Sequence, residues 1–263
     1  MARGYRMGII GSLSFVPEGS TVTPTDDIGI WLKCAKRSEN YTTLQQVLAD
    51  STCLLALIQS QNAVNYMVRS TTWASDVCAN QTAMTDIGGN NYCANTLLGN
   101  STWVNAIGDS TYIESVLNTK VPTLSSNTNV LSSTVDSGLQ KYYAFNGNLT
   151  TDGQRWSTAP GSGYIGYNFS SPVRIHTIEV KNRVSGSNIR AFKNFTLQGS
   201  NDGDNWTDIA ELLNEVTTNN TTWRMSTVNS NSYSYIRALI STAYDSTSWT
   251  NAQEIQFYGR VDV

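Results

Sequence analysis

Few side chains in this sequence are of the kinds that carry out covalent or metal chemistry. The only histidine, His176, lies in RIHTIEV. The alternation there places it in mid-strand as a packing residue, so a Ser-His-Asp or Cys-His mechanism is hard to assemble. Four cysteines, Cys34, Cys53, Cys78 and Cys93, fall at spacings of 19, 25 and 15 and form no CxxC pair. They read as small buried apolar residues rather than zinc ligands or disulfides. The sequence offers no nucleophile-base pair, no phosphate-cradling glycine loop and no motif of paired carboxylates. The reading is a protein that is not an enzyme.

Composition narrows the class further. Charged residues are 14% of the 263, against roughly a quarter in average domains. Uncharged polarity replaces them: 26 Asn, 30 Ser and 31 Thr. A net charge of −3 argues against a nucleic-acid partner, which calls for a basic face. Seven Trp, thirteen Tyr and six Phe are enough to nucleate cores, so the chain is not read as disordered. No run approaches the ~18–20 apolar residues of a membrane span. Arg3 and Arg6 precede Met7–Val16, but glycines and serines interrupt that stretch, which reads as an N-terminal arm rather than a signal peptide. Such charge-poor, Asn/Ser/Thr-rich chains suit extracellular β-proteins and virion fibres.

Residues 48–117 divide without gaps into seven decapeptides, from LADSTCLLAL to GDSTYIESVL. Their third column is Asp50, Ser60, Ser70, Asn80, Asn90, Asn100 and Ser110, each a good helix N-cap. The tenth column, Leu57, Met67, Val77, Ile87, Leu97, Ile107 and Leu117, is always apolar. The sixth holds Cys53, Ala63, Trp73, Ala83, Cys93, Trp103 and Ile113. Apolar residues four apart share one helix face, and Gly88, Gly89, Gly99 and Gly108 fall at the joins, where a helix stops. One continuous helix would spiral its apolar stripe, since ten residues fall about 80° short of whole turns. The spacing therefore predicts a staircase of short helices, each needing neighbours from the same chain or from other chains. Ahead of it, residues 1–47 read as an anchoring arm with a loop through Pro24 and two amphipathic pieces, IGIWLKCAKRS and TTLQQVLAD. In the second piece, Thr42 or Thr43 with Gln45 or Gln46 forms a capping box.

After Lys120 the pattern changes. Residues 121–137 read as a polar linker with one extended piece. Residues 138–263 read as an all-β sandwich of seven or eight short alternating strands. The fold class is thus mixed: a short-helix decapeptide-repeat stalk over 48–120, then the sandwich.

The second half resembles the discoidin-like domain, also called F5/8 type C, and within it the family 32 carbohydrate-binding modules, which makes the sandwich a jelly roll. The resemblance rests on AFNGNLTTDGQRWS, YIGYNFSSPVRIHTIEV, FKNFTLQGSNDGDNWTDI, YSYIRALI and AQEIQFYG. The capped repeats leading into VPTL more loosely resemble modules found ahead of such domains in bacteriophage tail-fibre proteins.

The resemblance implies a structural calcium beside the ligand face. Its ligands would come from Asn146, Asn148, Thr151, Asp152 and Glu254, although Asn146 stands where the family usually has aspartate. It also implies glycan-binding loops at one end of the sandwich, where an aromatic face covers the apolar side of a pyranose and polar forks meet its hydroxyls. Trp249, in the polar run AYDSTSWTNAQ, is the aromatic candidate, with Asn182, Arg183 and Asn188 as hydrogen-bonding candidates. Trp156 and Trp206 match core positions. The whole then reads as a virion fibre or decoration protein, the alternatives being a purely structural fibre whose sandwich makes protein contacts and an accessory carbohydrate-binding protein of a secreted polysaccharide-degrading system. In the first reading it would anchor to other virion proteins through its arm, form a homotrimer that buries the repeats' apolar faces, and present a host-surface glycan site.

Overall fold

The computed structural model describes residues 24–160, 162–184, 190–244 and 249–261. Residues 1–23 of the expected arm lie outside the described residues. The described helices are α1 (Pro24–Cys34), α2 (Leu44–Ala49), α3 (Ser51–Gln59), α4 (Gln61–Met67), α5 (Ala74–Cys78), α6 (Gln81–Gly88), α7 (Asn91–Leu98), α8 (Ser101–Asp109) and α9 (Ile113–Val116). A 3-10 turn, Thr71–Trp73, leads into α5.

Each decapeptide is one cap and one short helix. Asp50, Ser60, Asn80, Asn90 and Asn100 accept from backbone N–H groups two or three residues on, which satisfies donors that a helix start leaves free. Ser70 makes no such bond, and its unit opens with the 3-10 turn instead. Helices three units apart lie together: α3 on α6, α4 on α7, α5 on α8 and α6 on α9. Three decapeptides therefore make one turn of a solenoid.

The first-column carbonyls receive donors from the following turn. Asn80 Nδ2 donates to Leu48 O at 3.4 Å and Asn90 Nδ2 to Ile58 O at 3.2 Å. Ser110 Oγ donates to Cys78 O at 2.6 Å, while Val68 O takes the Trp103 indole N–H at 3.0 Å. The sixth and tenth columns are buried. So is a seventh column that the sequence pattern did not single out: Leu54, Val64, Ala74, Met84, Ala94 and Val104. These faces are covered within one chain, so burying them calls for no other chain.

The described part of the expected arm, residues 24–47, packs on the repeats. Pro24 opens α1 as a first helical residue, and Ile28, Trp31 and Leu32 are buried in the solenoid core. There the Trp31 ring lies 4.9 Å from that of Trp73. Thr43 and Gln46 form the capping box of α2. Gly88 is the last residue of α6 and Gly108 the next-to-last of α8, so both fall at helix ends as expected. A Cβ at Gly88 would fall 1.7 Å from Ser115 O, and one at Gly108 would fall 1.9 Å from Ser226 Oγ. Both glycines mark close approach. All four cysteines are free, and three of them are buried.

The strands are β1 (Thr119–Lys120), β2 (Val130–Ser132), β3 (Trp156–Pro160), β4 (Gly163–Lys181), β5 (Phe192–Ser200), β6 (Thr207–Leu213), β7 (Thr222–Ser226), β8 (Tyr233–Ala243), β9 (Trp249–Ala252) and β10 (Glu254–Arg260). The first half of β4 pairs with β2 and β8, and β8 continues through β5 to β6. The second half of β4 pairs with β10 and β7, and β10 with β1. β4 thus runs through both layers of an antiparallel sandwich. It changes layer at the exposed Ser170-Ser171-Pro172, where proline's missing N–H costs no ladder bond. β3 and β9 form a separate pair.

The expected linker is part of this sandwich. Within 121–137, Val121 and Val130 are buried in its core. Ser132 Oγ accepts the N–H of the buried Trp156 at 2.8 Å. The Gln256 side chain holds both N–H and C=O of Val121, at 2.8 and 2.9 Å. Trp156 is in the core as expected, but Trp206 is only half-buried. Its indole donates to Gly203 O, and the Arg237 guanidinium stacks on its ring at 3.9 Å. His176 sits buried in β4 and bonds Thr227 O through Nδ1 at 3.1 Å.

The solenoid lies against the β4–β7–β10 layer, and arginines fasten it there. Arg260, 1% exposed, donates to Val116 O at 2.8 Å, Gly88 O at 3.0 Å and Asn91 Oδ1 at 2.6 Å. Arg224 donates to Gly108 O and Ser110 O, both at 3.1 Å, and pairs with Glu179. Arg174 donates to Asn95 Oδ1 at 2.8 Å.

Two expectations follow for the purified chain in chemical denaturation. Asn90→Ala should cost about 1–2 kcal/mol through loss of cap and rung together, and Asn90→Ser less than half of that, because a hydroxyl can serve both. Arg260→Ala should cost about 2–4 kcal/mol by leaving buried carbonyls without a donor.

Candidate functional site

β10 runs from Glu254 at one end to Arg260 at the solenoid junction, and β4 pairs with it from Lys181 to Arg174. The loops at the Lys181–Glu254 end therefore stand ~20 Å along the strands from the junction. Between them lies a cavity of about 310 Å³ lined by Leu149, Thr150, Asp152, Val184 and Asn220.

Asp152 is the electrostatic centre of that cavity. Arg183 grips it bidentately, Nε to Oδ1 at 2.7 Å and NH2 to Oδ2 at 2.8 Å, and Arg155 NH1 reaches Oδ2 at 3.2 Å. The bond to Asp152 raises the Arg183 pKa, whereas burial lowers that of Arg155. Asn220 fixes the far wall. Its N–H donates to Arg183 O at 2.8 Å, its carbonyl accepts from Lys181 Nζ at 3.0 Å, and its φ is +59°. Leu149 stands half exposed at the rim. The cavity thus sets an apolar edge, Leu149 and Val184, beside the fixed Asp152 carboxylate, Thr150 and Asn220.

The expected binding residues are not brought together. Arg183 is beside the cavity, but Asp152 holds its guanidinium. Asn182 is buried: its amide donates to Val216 O at 3.4 Å and Thr218 O at 3.0 Å, and its Oδ1 accepts the Trp223 indole N–H at 2.8 Å. It has no group left for a ligand, which corrects the sequence reading. Trp249 opens β9 opposite Pro160, is partly buried, and is not in the cavity lining. Asn188 lies outside the described residues.

The expected calcium ligands are engaged elsewhere. Asn146 Oδ1 accepts the Asn148 N–H at 2.9 Å, and Asn148 Oδ1 accepts those of Thr150 and Thr151 at 3.1 and 2.9 Å. Asp152 faces two guanidiniums, which would repel a cation. Glu254 Oε2 accepts the Gly147 N–H at 3.1 Å. Burial pushes the Glu254 carboxyl up to about 8, against the lowering effect of N–H donors from Gly147 and Asn146. The carbonyls of Asn148, Thr151 and Gln154 do converge, but on the side-chain nitrogen of Gln253, at 2.9, 3.0 and 2.9 Å. Among the described residues no three His, Cys, Asp or Glu side chains come together. Calcium wants six to eight oxygens, carboxylates among them, and the residues as arranged do not fit it.

An antiparallel sandwich with loops gathered at one end and a short-helix solenoid on one layer defines the class of molecule. Residues 125–255 match the F5/8 type C domain family, so the second half of the chain carries a discoidin-like domain. No curated protein matches the chain. Solved structures of low identity are similar to about half of the chain, among them three sugar-binding modules. The family 32 carbohydrate-binding module of Clostridium perfringens NanJ, solved with galactose, is 16% identical with a TM-score of 0.42, over 53% of this chain and 99% of that one. The CBM32 of AlyQ, solved with 4,5-unsaturated mannuronic acid, is 20% identical with a TM-score of 0.41, over 50% and 94%. A Streptococcus pneumoniae fucose binding module is 15% identical with a TM-score of 0.41, over 52% and 94%.

Sequence reasoning passed over Arg155, Gln253, Leu149, Val184 and Asn220. Only Asn220, beside Asn219 in a turn-forming pair, carried a local signal. Asn182→Ala should lower stability by about 1–3 kcal/mol by stranding the buried Trp223 N–H. Thermal unfolding measures this, and circular dichroism shows whether the sandwich persists.

Proposed function

We propose that the protein is a non-catalytic glycan-binding protein of a virus particle, a bacteriophage fibre or decoration protein, with its discoidin-like domain turned toward the host surface. The observation that carries the glycan reading is the cavity at the loop end of that domain, where apolar Leu149 and Val184 stand beside the Asp152–Arg183 pair. A pyranose offers an apolar face and a rim of hydroxyls, and such a lining meets both. Fixed, partly buried ion-paired groups lose little freedom on binding, which favours a small polar ligand.

The solenoid supports the fibre reading. It is a repeat stack joined to the sandwich by buried arginine bonds, so it would hold the loop end at a set distance from whatever its first turns attach to. In this reading the N-terminal segment, residues 1–47, makes contacts with other virion proteins, and multiple copies on one particle supply avidity for a weak sugar site.

The test is binding of the full chain to a glycan panel and to candidate host cells. Wild type would be run beside Leu149→Ser, Asn220→Ala and Trp249→Ala, each confirmed folded. Binding reduced tenfold or more, about 1.4 kcal/mol, in the first two variants is the expected result. Loss in Trp249→Ala alone would move the site to that tryptophan. A wild-type chain that binds no glycan or cell would sink the adhesin reading and leave a fibre that makes protein contacts. Labelling of purified particles by an antibody against the chain tests the virion placement.

A further inference from the structure

A buried polar cluster lies just behind the proposed binding face. Gln253 stands between β9 and β10, fully buried, with its own N–H on Lys181 O at 2.8 Å. Its side-chain nitrogen is within 3.0 Å of three backbone carbonyls, those of Asn148, Thr151 and Gln154. An amide nitrogen has two hydrogens, so at least one is shared between two carbonyls. The opposite amide orientation would bring a fourth oxygen against the other three. Gln253 Oε1 is itself buried without a hydrogen-bond partner, a cost of the kind usually tolerated only where the other end of the group is strongly held. The 148–154 loop contributes Leu149, Thr150 and Asp152, three of the five lining residues, to the cavity, so the group that gathers its carbonyls also sets the position of most of the lining.

Three carbonyls turned toward one point require a positive centre. A hard cation can supply it, and so can the N–H edge of an amide. We propose that Gln253 fills the place of a cation in this domain and is the positioning residue of its loop face, so that the cavity is held open without a divalent metal. The part concerning ligand presentation rests on the reading of that cavity as the glycan site. The part concerning the loop does not.

The experiment is thermal unfolding and limited proteolysis of the full chain in EDTA, in calcium and in magnesium. The variants are Gln253→Ala and Gln253→Glu. The wild type is expected to melt at one temperature in all three conditions. Gln253→Ala should melt lower, irrespective of metal, with faster cleavage within 148–154. Gln253→Glu, which places a carboxylate among three carbonyls, should melt low in EDTA and recover by roughly 5 °C or more in calcium, because an ion bound only by the folded form stabilises it.

A wild-type melting temperature that falls in EDTA or rises in calcium would overturn the proposal, and that arm needs no variant to fold. So would a Gln253→Ala chain with unchanged melting and unchanged cleavage of the loop, or a Gln253→Glu chain indifferent to calcium. No sugar enters these measurements. A failed glycan screen therefore leaves them standing, and a failed metal test leaves the glycan reading to its own assay.

Discussion

Every helix in the solenoid is too short to satisfy its own backbone, and much of the architecture answers that constraint. A helix leaves four N–H groups free at its start and four C=O groups free at its end. In helices of four to nine residues such as α9, α4 and α8, those ends are most of the element. Most third-column side chains accept N–H groups of their own helix, and Ser60, Asn80, Asn90 and Ser110 also donate to a carbonyl one turn back: Asn90 accepts the Cys93 N–H and donates to Ile58 O. That ladder has no next rung after the last turn. There the sandwich supplies the donors: Arg260 to Gly88 O and Val116 O, Arg224 to Gly108 O and Ser110 O. Solenoids need capped ends, and here the β-domain is the cap.

This explains which parts of the fold could be read from the sequence. The N-cap column, the sixth and tenth columns and the join to an all-β half are local or periodic signals, and they mark the observed elements. The rungs join residues about thirty positions apart and leave no local trace, so the sequence left open whether neighbours came from the same chain or from others. The segment 121–137 shows why composition misleads. Its polar residues look like a linker, yet Ser132 bonds the Trp156 indole and Gln256 clasps Val121 across 135 positions. Polar side chains in a sandwich of this kind are often structural partners for buried N–H groups.

The same effect hid the site. Asn182 and Arg183 were singled out as polar loop residues free to meet a ligand, and Asp152 as an oxygen donor to a cation. In the fold, Asn182 is consumed by Trp223 and the 214–221 segment, while Asp152 reaches the cavity only as half of its pair with Arg183. A sequence displays donors and acceptors but not their pairing. The residues that remain to line the cavity, Leu149, Val184 and Asn220, are unremarkable in the text and become informative only once their neighbours are spoken for.

The composition itself acquires a second cause. A chain with 87 Asn, Ser and Thr in 263 looks like one selected for an extracellular surface, and that was part of the ground for a virion reading. The solenoid demands such residues for a different reason. Its third column needs a side chain that accepts at one atom and donates through the same group or its neighbour, within reach of two backbones. Asn and Ser meet that need, whereas Asp accepts only and Lys donates only. Asp50, in the first unit, takes the Tyr41 hydroxyl, at 2.7 Å. The scarcity of charge in the repeats is therefore in part a property of the ladder. The functional reading rests more securely on the discoidin-like domain and its loop-end cavity than on composition.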